Sequence, residues 1–240
     1  MNGQLRLFGI FAFSMIFSAP YQVAADPSCK PADYGFVIGG EADQNVSAGP
    51  NFRPAAAGSS AQLSSATLLG ALAKGTVTVS APGTLLIAEQ LNISRAKGSL
   101  MIDAKGDLIV SGAVVISVPL ALKLSGNRID QTDCEVRPGN GRSIEGGSLA
   151  LRADQGIGTQ LNGDQAHLNI KNVTRLAATS DKGDIRIITF TKPRLRIDQV
   201  ADLKGIQLDA GSLHLRNQEG AITIHGPVNV SGRATILPTP

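Results

Sequence analysis

The feature that most restricts what this chain can fold into is a passage that occurs twice. "GSLMIDAKGDLIVSGAVVIS" begins at Gly98, and "GSLHLRNQEGAITIHGPVNVSG" begins at Gly211. Leu100, Ile102, Leu108, Val110, Val114 and Ile116 align with Leu213, Leu215, Ile222, Ile224, Val228 and Val230, apolar against apolar each time, with one inserted residue near Glu219. Within each copy, apolar positions alternate with polar or small ones, the period of a strand with one buried face. Gly106, Gly112, Gly220 and Gly226 fall between the runs, so each copy reads strand, turn, strand, turn, strand. Such a unit needs a neighbouring copy to bury its apolar face.

The same rhythm starts at Thr76, where "TVTVSAPGTLLIAEQLNIS" sets Val77 with Val79, Leu85 with Ile87, and Leu91 with Ile93. Further units begin at Gly147 ("GSLALRADQGIGTQL"), near Ala166 and at Gly205. Short strands in threes, about twenty residues per unit, match a coil that climbs one strand spacing per turn. A sandwich or barrel calls for longer strands, tight hairpins and more aromatic filling; this chain has no Trp and, after Phe52, only Phe190. The expected fold is all-β: a right-handed parallel β-helix (β-solenoid) of roughly seven or eight coils over residues 63–240. In "LSSATLLGALAK", Ser64 or Ser65 can cap a short helix with Leu68, Leu69 and Leu72 on one face, ended by Gly75. Residues 26–62 read as an irregular leader or cap. Ser125 to Gly147 reads as an insert that leaves the solenoid as a surface loop, where binding residues concentrate.

The first 25 residues read as a signal peptide. Arg6 precedes the apolar run "LFGIFAFSMIFSA", too short to cross a bilayer, and "VAA" at Val23 to Ala25 places small residues before a cut at Asp26. Cys29 follows "DPS" rather than the cut itself, which argues against a lipid anchor. The expectation is export without a membrane span in the mature chain, to the cell surface or medium, with the periplasm as the alternative. In an oxidising compartment Cys29 and Cys134 are candidates for a disulfide that closes a long loop; two unpaired thiols are the other reading. A net charge of +3 is mild for 240 residues and does not imply a nucleic-acid partner.

Little in the chain points to catalysis. "RIDQ" occurs at Arg128 and at Arg196, placing Asp130 and Asp198 in similar local settings, but no acidic pair recurs on adjacent coils. His167, His214 and His225 sit in polar slots, two of them able to align on successive coils, without a Cys or repeated carboxylate to complete a metal set. There is no phosphate loop, nucleophile elbow or CxxC pair, so no cofactor is implied. "FTKPRLRID" places Lys192, Arg194 and Arg196 at period two, so one outward face carries three cations suited to an anionic glycan; the plainer reading is a solvated strand face. The expectation is a non-catalytic exported solenoid that binds glycan or other cell-surface components or acts as a spacer. The alternatives are a polysaccharide-active β-helix lyase or hydrolase, and an inactive remnant of a larger protein.

The series "LSSATLLGALAKGTVTVS", "GTLLIAEQLNIS", "GSLMIDAKGDLIVSGAVVIS", "GSLALRADQGIGTQL" and "LAATSDKGDIRI" resembles the repeat region of filamentous-haemagglutinin-type exoproteins of bacterial two-partner secretion, over about Leu63 to Ile236. The "GIGT" at Gly156 followed by "LNI" and "GDIRI" is its most specific part. The resemblance implies an adhesin-like role and an outer-membrane secretion partner. "GFVIGGEADQNVSAGPNFRP" lacks the Asn-Pro-Asn-Gly type motif of the family's secretion domain, so partner-dependent secretion has no motif of its own here.

Overall fold

The computed structural model describes residues 34–238, apart from 57, 112–113, 117–119, 132–143 and 160–166. The expected signal peptide and both cysteines lie outside these residues. A cap comes first: β1 (Phe36–Ile38), β2 (Asn51–Phe52), β3 (Ala61–Leu63) and α1 (Ser65–Leu72). Three coils of three strands follow: β4 (Val77–Ala81), β5 (Leu85–Ile87) and β6 (Leu91–Ile93); β7 (Leu100–Ala104), β8 (Leu108–Val110) and β9 (Val114–Ile116); β10 (Ala121–Gly126), β11 (Ile129–Gln131) and β12 (Ile144–Glu145). Two coils use longer strands: β13 (Ser148–Ala153) with β14 (Leu168–Lys171), and β15 (Arg175–Ser180) with β16 (Ile185–Phe190). The next holds β17 (Arg194–Ile197), β18 (Gln199–Val200), β19 (Leu203–Lys204), β20 (Ile206–Leu208) and β21 (Leu213–Asn217). The last is β22 (Ala221–Ile224), β23 (Val228–Val230) and β24 (Ala234–Leu237).

These coils, about seven, stack as a β-solenoid. A long sheet runs β2-β4-β7-β10-β13-β15-β17-β22, with β20 and β23 joined to it at β15. A second sheet runs β3-β1-β5-β8-β11, and a third runs from β6 through β9, β12, β14, β16 and β21 to β24. Pairing between coils is parallel, and among the described strands only β18 and β19 pair antiparallel. The second sheet continues past β11 as single bridges, Ile129 to Ile157 and Ile157 to Ile185. Because Ile185 is also the first residue of β16, which pairs with β14 in the third sheet, the two faces merge there. Three-sided coils thus become two-sided ones.

Alternation in the sequence becomes apolar ladders inside. In the long sheet Val77, Leu100, Leu122, Leu149, Leu176 and Ile197 stack in register, all fully buried. Each such side chain contributes roughly 1.5–3 kcal/mol by leaving water. Register is tightest at the bends: a Cβ on Gly98 would lie 2.0 Å from the Gly75 carbonyl carbon in the coil below, so only glycine allows that approach. At the N-terminal end the Ser64 hydroxyl accepts from the Thr67 N–H at 3.3 Å and caps α1, whose Leu68 and Leu72 are buried against the first coil.

Three particulars differ from the sequence reading. The stretch expected as an irregular leader or cap caps the solenoid with regular strands that join two sheets: β1 pairs with both β3 and β5, and β2 pairs with β4. Of the expected insert Ser125 to Gly147, residues 132–143 lie outside the described residues; at its two ends, Ser125 and Gly126 belong to β10, residues 129–131 form β11 and residues 144–145 form β12, so those ends are part of the solenoid. The two copies of the repeated passage do not occupy equivalent faces either. In the first, β7 lies in the long sheet and β9 in the third; in the second, β21 lies in the third sheet and β22 in the long one. An identical local pattern is therefore phased one face apart.

Candidate binding face

The outward side of the long sheet carries three parallel rows of side chains. One runs Ala121, Ser148, Arg175, Arg196, Thr223; the next Thr78, Met101, Lys123, Ala150, Ala177; the third Ser80, Asp103, Ser125, Arg152, Thr179, Gln207. Between β17 and β20 the chain leaves the coil at Asp198 and returns at Gly205, with β18 and β19 forming a hairpin. Its Val200 and Leu203 pack on Ala150 and Ala177, both fully buried, where larger side chains would lift it off. Asp202 at the tip reaches back to Lys123, whose ammonium donates to both carboxylate oxygens at 2.7 and 2.8 Å. That bond holds the Asp202 carboxyl below its usual range. The hairpin lies over the middle row and separates the outer two.

On one side lie the expected cations. Arg194 and Arg196 point outward from β17 while Leu195 and Ile197 point in, and Lys192, also exposed, stands 3.9 Å from Glu219. The structure adds Arg175, in register with Arg196 on the adjacent coil. Arg175 is engaged by the hairpin root, 3.4 Å from Asp198 and donating to the Gln199 carbonyl. Like charges opposite one another in adjacent strands are destabilising unless something neutralises them.

On the other side a groove runs along the solenoid axis. A depression of about 700 Å³ lies between α1 and the cap, lined by Thr67, Gly70, Lys74 and Phe52. It shares Ser47, Ala48 and Phe52 with one of about 440 Å³ over Thr78 and Ser80. The latter shares Thr78 with one of about 460 Å³ over Asp103, Lys105, Lys123, Ser125, Arg152 and Asp154. Asp103 and Lys105 form an exposed ion pair at 3.6 Å.

Other charged groups serve the coil stack. Burial alone would raise the Asp107 carboxyl, but Arg128, at 2.8 and 3.3 Å from the next coil, and the Asn127 amide outweigh it and hold it low. Asp130 is the opposite case. It points outward from β11 yet is only 1% exposed, and among the described residues neither carboxylate oxygen has a hydrogen-bond partner. Burial pushes its pKa up to about 7; Arg128 and the nearby Thr159 N–H oppose the shift, and Asp107 adds to it. Asp198, its counterpart in the second "RIDQ", instead faces Arg175 at the hairpin root. His214 lies in register with Arg186 and Thr235, and His225 follows β22, so these two do not share a row. No group of three His, Cys, Asp or Glu that could hold a metal occurs among the described residues.

The hairpin and the groove escaped sequence reading. "QVADLKG" shows a polar turn between Val200 and Leu203, but nothing local says that these residues fold back over alanines one and two coils away. No protein-family model, curated protein or solved structure matches this chain.

Proposed function

We propose that this chain is a non-catalytic, exported β-solenoid that binds anionic surface glycans, an adhesin-like module of the kind its repeats resemble in filamentous-haemagglutinin-type exoproteins. The observation that carries the reading is the arginine strip. Arg175 and Arg196 stack in register, Arg194 stands beside them, and neither Arg194 nor Arg196 has a carboxylate within 4.0 Å among the described residues. An array of sulfates or carboxylates would neutralise this strip through charge-assisted, two-pronged hydrogen bonds. Rigid coils keep the spacing of the guanidinium groups constant, so little order is lost on binding.

The test is binding of dextran sulfate against neutral dextran over a range of salt concentrations. Binding should weaken as salt rises, and Arg194→Ala with Arg196→Ala should remove it. Unchanged binding by the double variant would defeat the assignment, and no binding to any anionic glycan would leave the spacer role. One observation favours a second reading, since Asp103 and Asp154 line the same groove two coils apart. Release of reducing or unsaturated sugar ends from a bound polysaccharide would make that pair catalytic and overturn the non-catalytic reading. Fractionation of the source cell tests export.

A further inference from the structure

We infer that two copies of this 240-residue chain join end to end through the coil of β22, β23 and β24, and that the assembly closes at two. The two ends of the described solenoid differ. At the first, every sheet is closed: Gln44 bridges Gln62 beyond β3, Val46 bridges Pro54 beside β2, and α1 lies against β4 and β6 with Leu68 and Leu72 fully buried. At the other, β22, β23 and β24 each have one strand neighbour, β17, β20 and β21, and among the described residues nothing pairs with their free edges. The apolar ladders stop there as well. Ile222, Ile224, Val228, Val230, Ala234 and Ile236 each stand in register over a buried residue of the preceding coil, yet none of the six is itself buried, and Ile224 is 55% exposed. Free strand edges around an uncovered apolar interior form a template for further strands.

The occupant has to offer three strand edges and an apolar section of the same outline, and the same end of a second copy does. The closed first end offers neither, so head-to-tail stacking into a fibre is blocked and association stops at a two-fold pair. A two-fold axis across the solenoid turns every strand antiparallel to its new neighbour. Charge selects between the two ways of placing that axis. β22 and β23 follow one another along the long sheet, because β17 and β20 below them both pair with β15, and β24 runs back along the other face. The turns that carry Glu219 and Arg233 therefore lie at opposite edges of the coil, and both residues are exposed. Glu219 has Lys192 at 3.9 Å, whereas Arg233 has no carboxylate within 4.0 Å among the described residues. With the axis along the sheet normal, β24 meets its own copy, β22 meets β23, and the Glu219 turn faces the Arg233 turn twice. With the axis along the strands, each turn faces its own copy and like charges meet. The longer face of the coil runs from Ala221 to Val230, roughly 33 Å, and two packed sheets are about 15 Å across, so the pair buries on the order of 1,000 Å² in total. That is the lower bound of a specific interface, which makes the dimer a dissociable one. In the favoured arrangement the long sheets run on as one face and both arginine strips look the same way, a bivalent surface; the association itself does not rest on their binding anything.

The experiment is sedimentation equilibrium of the full chain over a concentration range of about 1–100 µM. The weight-average mass should rise from 24.8 kDa to twice that value and level off. Ile224→Lys, at a position already exposed, should hold the chain monomeric without changing its circular dichroism. Glu219→Arg should weaken the dimer roughly ten-fold, and combining it with Arg233→Glu should restore the parent affinity. The inference is overturned if the mass stays at 24.8 kDa throughout, if it climbs beyond two copies, if folded Ile224→Lys still dimerises, or if Glu219→Arg has no effect or is not rescued by Arg233→Glu.

Discussion

The substitution Asp130→Asn should change how stability depends on pH. In the unfolded chain the carboxyl titrates near 3.8, and in the folded chain near 7, because burial disfavours its charged form more than Arg128 and the Thr159 N–H favour it. Below the lower value both states carry the proton and this group has no effect. As pH rises from about 4 to above 7 the unfolded state ionises first, so stability falls through that window and the loss is complete once the folded pKa is passed. A shift of about three units at ~1.4 kcal/mol each amounts to a loss of about 4 kcal/mol. The amide that replaces the carboxyl cannot ionise. It costs about 1–3 kcal/mol if unpaired, but that cost does not vary with pH. The difference in unfolding free energy between variant and parent should therefore move in the variant's favour by about 4 kcal/mol between pH 4 and pH 8. Urea unfolding followed by far-ultraviolet circular dichroism, at four or five pH values, measures this directly. If the two pH curves run parallel, Asp130 ionises normally in the folded protein and the account of its burial is wrong.

Gly98→Ala should cost more than about 2 kcal/mol, because its Cβ would meet backbone at 2.0 Å, whereas Gly70→Ala, with open space around it in α1, should stabilise by about 0.5–1 kcal/mol; thermal melts compare them. Val110→Asp places a charge on a fully buried ladder position and should cost more than about 4 kcal/mol, read as loss of the β signal or of soluble protein. Asp202→Ala removes a largely exposed ion pair, so the melting temperature should hardly move. Its effect should instead appear as faster amide exchange confined to the hairpin, and Leu203→Asp should release the hairpin altogether.

The class of fold was legible because strand periodicity is local. Val77 and Val79, Leu85 and Ile87, and Leu91 and Ile93 each announce an inward face within three residues, and all six are buried. The helix was legible for the same reason, since its cap and its buried leucines lie within nine residues. At the site, the period put Arg194 and Arg196 on one face of β17, whereas Lys192, expected on the same strand face, lies ahead of that strand. Their neighbour Arg175 was invisible, because its register with Arg196 depends on how many residues the bends on either side of β16 take up.

By itself, then, the sequence determined short strands, glycine bends and a stacked architecture, all of which follow from interactions between residues a few positions apart. Tertiary structure decided what those strands face. The passage at Gly98 and its copy at Gly211 are one local solution, yet they begin on different sheets, because three-sided coils give way to two-sided ones at Ile185 and the chain arrives at Leu213 one face out of phase. The same holds for function. Whether Lys123 is free or bound to Asp202, 79 residues away, depends on the room that Ala150 and Ala177 leave above the sheet. Contacts of that range depend on the whole stack being assembled, and no local pattern encodes them.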